Sequence, residues 1–176
     1  MTTTTGGQLN QVDLGAVGAL VEKIRQRPSA AQTTWSAEVR WTGAFRSEAA
    51  IRRFAPIASD EPRGIGGTDL APNPVEQLLA ALGNCLAVGY AANASAAGVT
   101  IRDLRIDLEG DLDLHAFLGL DSKTDGHAGF SAIRVAVHLD TDADEAAVAE
   151  LHAKVAATSP VGQTLSKAIP VEISPA

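Results

Sequence analysis

One globular domain mixing helix and strand is predicted by three observations. The chain has 176 residues, of which 45% are hydrophobic, enough for a single real core and too few for two. An almost wholly apolar run of helix formers, 71-APNPVEQLLAALGNCLAVGYAANASAAG-98, stands at its centre with an explicit helix start. Two segments after it alternate apolar and polar residues with the period of a half-buried strand.

In chain order, residues 1 to 10 are polar and read as a loose tail. Residues 12 to 26 form a helix with Val17, Leu20, Val21 and Ile24 on one face, stopped by Pro28. The domain proper is placed at 31–176, with 1–30 as an N-terminal tail and helix. WSAEVRW (35 to 41) and the stretch FRSEAAIRRF (45 to 54) are expected strands, paired through a turn at Thr42-Gly43. The Gly- and Pro-bearing segment 55 to 72 is a connecting loop containing at most one short strand. Its GIGG is no phosphate loop, because no Gly-Lys-Ser/Thr follows.

Asn73 caps the central helix, Pro74 suits its first position, Glu76 completes a capping box and Gly98 closes it. From Val99, Leu104, Ile106 and Leu108 fall on one face of a strand and Arg105, Asp107 and Glu109 on the other. After a variable loop near 121–129, Ile133, Val135, Val137 and Leu139 repeat the pattern over 130 to 139. Asp142, Asp144 and Glu145 suit the start of a helix whose inward stripe is Val148, Leu151, His152 and Val155. Ser159-Pro160 starts a short helix, and PVEIS is expected to end the chain as a strand.

Composition excludes several function classes. With 14 Lys+Arg against 21 Asp+Glu, the net charge of −7 repels phosphate backbones and anionic membranes, so neither nucleic acid nor membrane is an expected partner. Two Asn and two Gly within 78–97 make that run poorly suited to span a bilayer, and MTTTTGGQLNQ lacks the features of a secretory signal. A cytoplasmic location is expected. His115, His127, His138 and His152 have no metal-ligand spacing, and 140-DTDADE-145 places Glu145 where a calcium loop needs Gly. No metal and no cofactor are expected. His152, on an apolar face, reads as a packed core or interface histidine.

The chain's single cysteine, Cys85, lies inside the apolar helix, where by itself it reads as a small buried hydrophobe. Glu76 reads first as a cap. It stands nine residues earlier, about 900° of rotation at ~100° per residue, so the two side chains point to opposite faces.

NPVEQLLAALGNC, the alternating strand after it, the later strand and helix, then SPVGQTL and a final segment resemble the OsmC/Ohr family of hydroperoxide reductases over most of residues 35 to 174. That resemblance implies an α+β fold in which a central apolar helix packs on curved antiparallel sheet, and two chains intertwine as a homodimer with active sites at the interface. It implies an oxidoreductase of the oxidative stress response, a peroxidase in which Cys85 attacks the peroxide oxygen and becomes sulfenic acid. An early-strand arginine favours the thiolate; Arg46 matches that role, with Arg40 as the alternative, and the acid partner of the arginine maps near Glu76. The family's second, resolving cysteine precedes a proline, and here Ser159 takes its place. No disulfide can form within the chain, so an external thiol is the expected reductant. The other reading is a non-catalytic member that binds an apolar small molecule in the interface pocket.

Overall fold

The computed structural model describes residues 8–120 and 127–175. The chain forms two compact units, Gly15–Leu78 and the combination of Met1–Leu14 with Leu79–Ala176. The predicted tail before Gln8 and most of the predicted loop at 121–129 lie outside the described residues.

The unit Gly15–Leu78 holds most of α1 (Leu14–Gln26) and an antiparallel sheet of β1 (Glu38–Gly43), β2 (Arg46–Ala50) and β3 (Ile57–Ser59), in that order. Both hairpin strands are shorter than the sequence suggests, and the turn is Ala44-Phe45 rather than Thr42-Gly43. The shift has a local cause. Gly43 pairs with Arg46 at a φ of 113° that suits glycine, and Trp41 Nε1 donates to the Ala44 carbonyl at 2.7 Å, which fastens the turn two residues further on. The apolar stripe of α1 finds little cover, with Val17 46% and Leu20 51% exposed.

In the loop after β3, Asp60 is only 1% exposed. Its carboxylate accepts from the backbone N–H groups of Glu61 (2.8 Å), Thr68 (3.1 Å) and Leu70 (3.2 Å) and from the Thr68 hydroxyl (2.5 Å). These donors hold the Asp60 carboxyl well below the usual range, at about 2, with the Thr68 hydroxyl the largest cause. Gly67 is required here, because a Cβ would sit 1.7 Å from the Glu61 carbonyl oxygen.

The central helix α2 (Pro74–Ala96) begins as predicted. Glu76 N–H donates to Asn73 Oδ1 at 2.9 Å, and Asn73 N–H donates to Glu76 Oε2 at 2.8 Å, so the two residues close a reciprocal capping box. It ends at Gly98 (φ 74°), where Val99 N–H reaches back to the Ala94 carbonyl at 2.9 Å. α2 has the length and apolarity of a membrane span, but it packs as the core helix of its unit.

That core is built on the long hairpin of β4 (Ile101–Leu112) and β5 (Phe130–Thr141), antiparallel from Ile101 opposite Thr141 to Leu112 opposite Phe130. Tyr90 and Ala94 of α2 meet Leu151 and Val155 of α4 (Glu145–Thr158), with Leu104, Ile106, Val137 and Leu139 packed against them. The predicted alternation holds, with the opposite face of the ribbon carrying the ion pair Arg102–Asp140 (2.8 Å) and a hydrogen bond between His138 Nε2 and Asp107 Oδ2 (2.9 Å). α4 starts where the acids predict it, with Asp144 accepting from Ala147 N–H at 2.9 Å. The short helices are α3 (Leu114–Phe117) and α5 (Pro160–Leu165).

Two expectations are corrected. Asn10 is no part of a loose tail: its side chain donates to Ser95 Oγ (3.0 Å) and the Val99 carbonyl (2.9 Å) and accepts from Ile101 N–H (2.8 Å). It ties the end of α2 to the start of β4. PVEIS is not a strand; it finds no ladder partner among the described residues, and Val171 and Ile173 are 78% and 95% exposed.

Candidate active site

Cys85 sits mid-way along α2, half-buried, and the residue that meets it comes from 74 positions away. The Ser159 hydroxyl donates to Cys85 Sγ at 3.2 Å. Ser159 is 3% exposed, because it is at once the end of α4 and the cap of α5. Its N–H bonds the Val155 carbonyl at 3.0 Å, and its Oγ accepts from Gly162 N–H at 3.1 Å. The sequence predicts Ser159 as the start of a helix. The contact with Cys85 adds to that role without displacing it.

Ser159 also lines an open cavity of about 620 Å³ bordered by α2, β5, α4 and α5. Leu82, Leu86, Ile133, Val135 and Val137 supply apolar wall, and Gln163 and His152 supply polar groups. Tyr90, 4% exposed, places its hydroxyl 2.6 Å from His152 Nδ1, with the two rings edge to face at 5.5 Å. Burial pushes the Tyr90 phenol up, so Tyr90 keeps its proton in the hydrogen bond it shares with Nδ1. His152 is thus a packed histidine, as its apolar face suggested. Tyr90 was not singled out from sequence, since a lone tyrosine in an apolar helix gives no sign of a partner 62 residues away.

Arg46 belongs to the other compact unit, at the first position of β2. It is exposed, donates from Nε to the Gly43 carbonyl at 3.5 Å, and has no carboxylate partner among the described residues. It borders a small cleft with Thr42, Glu48 and Asp60. Arg40, the alternative, is engaged with its neighbour Glu38 at 2.6 Å. Glu76, also in that unit, is occupied in the capping box.

The family model described as OsmC-like protein matches residues 67–174, more than half of the sequence. The chain belongs to the OsmC-like family. Its fold is shared with solved structures. An OsmC-like protein from Mycoplasma pneumoniae is 20% identical, covering 77% of this chain and 89% of its own, with a TM-score of 0.66. An OsmC-like protein of unknown function from Vibrio cholerae is 13% identical, covering 76% and 94%, with a TM-score of 0.58. An organic hydroperoxide resistance protein OsmC from Legionella pneumophila is 17% identical, covering 76% and 91%, with a TM-score of 0.55. At such identities the likeness of these OsmC-like proteins is one of α+β fold. No curated protein matches the chain.

Proposed function

We propose that this OsmC-like protein is a thiol-dependent peroxidase that reduces organic hydroperoxides through Cys85 in oxidative-stress defence, in the cytoplasm and as a homodimer. The observation that carries the reading is the Cys85–Ser159 contact in a chain of this family: a half-buried thiol receives a hydrogen bond from a buried hydroxyl that also borders a largely apolar cavity.

The step balances without a metal or bound cofactor. The Cys85 thiolate attacks the distal peroxide oxygen, the O–O bond breaks, and the alkoxide takes a proton and leaves as alcohol. Cys85 is oxidised by two electrons to sulfenic acid. A small thiol then condenses with the sulfenic acid, releasing water and forming a mixed disulfide, and a second thiol releases Cys85 with formation of an external disulfide. With Cys85 the chain's single cysteine, both thiols come from outside it. Arg46 is the cation assigned to the thiolate and peroxide, in preference to Arg40, because Glu38 already holds the Arg40 guanidinium. To act as the acid partner of that arginine, Glu76 would exchange its bond to the Asn73 N–H for the Arg46 guanidinium.

A second reading is favoured by the cavity, whose volume and walls suit an apolar small molecule bound without chemistry.

Mass spectrometry of Cys85 after graded cumene hydroperoxide separates the two. The expected result is a dimedone-trapped sulfenic acid, with peroxide consumption that requires added thiol or dithiol, is abolished in Cys85→Ser and is reduced in Arg46→Ala. Cys85 remaining reduced in excess hydroperoxide would end the enzyme reading and leave the binding one.

A further inference from the structure

We infer that Ser159 is a positioning residue of the reactive thiol, its hydroxyl proton committed to Cys85 Sγ by the way α5 begins. This rests on the reading of Cys85 as the nucleophile and adds to it a group that works through the sulfur.

A serine hydroxyl has one proton to give and two lone pairs to receive. At Ser159, Gly162 N–H approaches from one side at 3.1 Å and occupies the acceptor role. Gly162 is itself closely packed here, since a Cβ on it would meet Ser159 Oγ at 3.2 Å and Ser159 Cβ at 3.3 Å. With the residue 3% exposed, bulk water does not compete for the proton. Cys85 Sγ, at 3.2 Å, is the acceptor that the structure provides.

The backbone on either side allows little rearrangement. Ser159 N–H is held by the carbonyl of Val155, which is 1% exposed, and the Ser159 carbonyl receives Gln163 N–H at 2.8 Å. A donor fixed in this way stabilises a thiolate more than a thiol, because a charged acceptor gains more from the same bond. The serine therefore holds the sulfur in place and presents it with an O–H that an anionic sulfur accepts more strongly than a neutral one.

The capping role and the thiol role are separable. Ser159→Asp keeps an acceptor for Gly162 N–H but has no proton to give and adds like charge beside the sulfur. Ser159→Ala loses both roles, and Ser159→Thr keeps both. Iodoacetamide alkylation of Cys85 is measured across pH in the full-length protein, with circular dichroism to verify folding. The expected result is an alkylation rate at neutral pH about fivefold lower in Ser159→Ala and lower still in Ser159→Asp, recovered in Ser159→Thr. The rates should converge at alkaline pH, where every thiol is ionised. A pure capping role predicts instead a wild-type profile for Ser159→Asp, and that result overturns the inference. So does a Ser159→Ala profile that keeps its midpoint and changes only its alkaline plateau. If the buried carboxylate of Ser159→Asp prevents folding, the Ala and Thr pair still decides the question.

Hydroperoxide consumption on the same samples keeps the two conclusions apart. Displaced profiles without any reaction of Cys85 with peroxide retire the peroxidase reading and leave the pairing. Undisplaced profiles with full turnover do the reverse.

Discussion

Asp60 is the residue whose environment departs furthest from what its neighbours in sequence suggest. Its carboxyl is held at about 2 rather than the usual 3.8, first by the Thr68 hydroxyl and then, against the cost of burial, by backbone N–H groups. Because the folded value lies below the unfolded one, the stabilisation is fully present above pH 3.8 and disappears as pH falls towards 2. Asp60→Asn should therefore lower the urea midpoint at neutral pH, and the gap from wild type should narrow steadily as pH falls from 3.8 to 2. Urea titrations across that range check it, and a gap independent of pH would mean that the carboxylate charge is not what holds the loop. None of this was legible from 60-DEPRGIGGTDL-70, which reads as an ordinary Gly- and Pro-rich connection. The acid is satisfied by a chain that folds back on itself, and the required glycine, Gly67, has meaning only once Glu61 is beside it. Cys85 and Ser159 differ in this respect. Both could be singled out from motif, while their contact waited for the turn between α4 and α5.

At the scale of elements, the start of α2 offers the clearest separation between a structural and a chemical role. Asn73 and Glu76 cap one another, so each has a local reason to be present. Asn73→Ala should cost about 1 kcal/mol, since the helix loses a cap oxygen. Glu76→Gln should cost less, because Gln can also reach back to the Asn73 N–H. If Glu76 also serves Arg46 as its acid partner, Glu76→Gln should reduce hydroperoxide turnover while leaving the thermal midpoint close to wild type. Turnover equal to wild type in a protein of unchanged stability would leave the cap as its only role. Long periodic elements were readable in advance. The two-residue patterns of β4 and β5 arise because each packs one face on a shared core, while α2 was readable from its caps and its run of helix formers. Short elements were less so: the β1–β2 turn moved by two positions under the constraint of Gly43 and Trp41, and the alternation in PVEIS was insufficient without a neighbour to complete its hydrogen bonds.

For the whole molecule, exposed apolar surface is the main indication of assembly. Trp35 and Trp41 are 79% and 75% exposed, Val88 on the central helix is 69% exposed, and Val17 and Leu20 leave the α1 stripe uncovered. Surface of this kind supports the proposed homodimer, since burying such side chains is worth roughly 1.5–3 kcal/mol each. Sedimentation should find a dimer at micromolar concentration. Because Trp35 and Trp41 are the chain's two tryptophans, their fluorescence should move to longer wavelength as dilution dissociates the pair. A stable monomer with fully water-exposed tryptophan emission at micromolar concentration would contradict this. The amino-acid sequence by itself determined the order of the major elements, the caps of α2 and α4, the inward faces of the β4–β5 hairpin and the family, because each is written in neighbouring residues as a period or a short motif. Tertiary structure alone decided that Ser159 donates to Cys85, that Tyr90 pairs with His152, that Asn10 ties α2 to β4, and that Arg46 rather than Arg40 has no carboxylate partner among the described residues. Such contacts depend on where a side chain ends in space, and, except for the neighbouring Arg40–Glu38 pair, their partners are separated along the chain by loops whose paths no local period specifies.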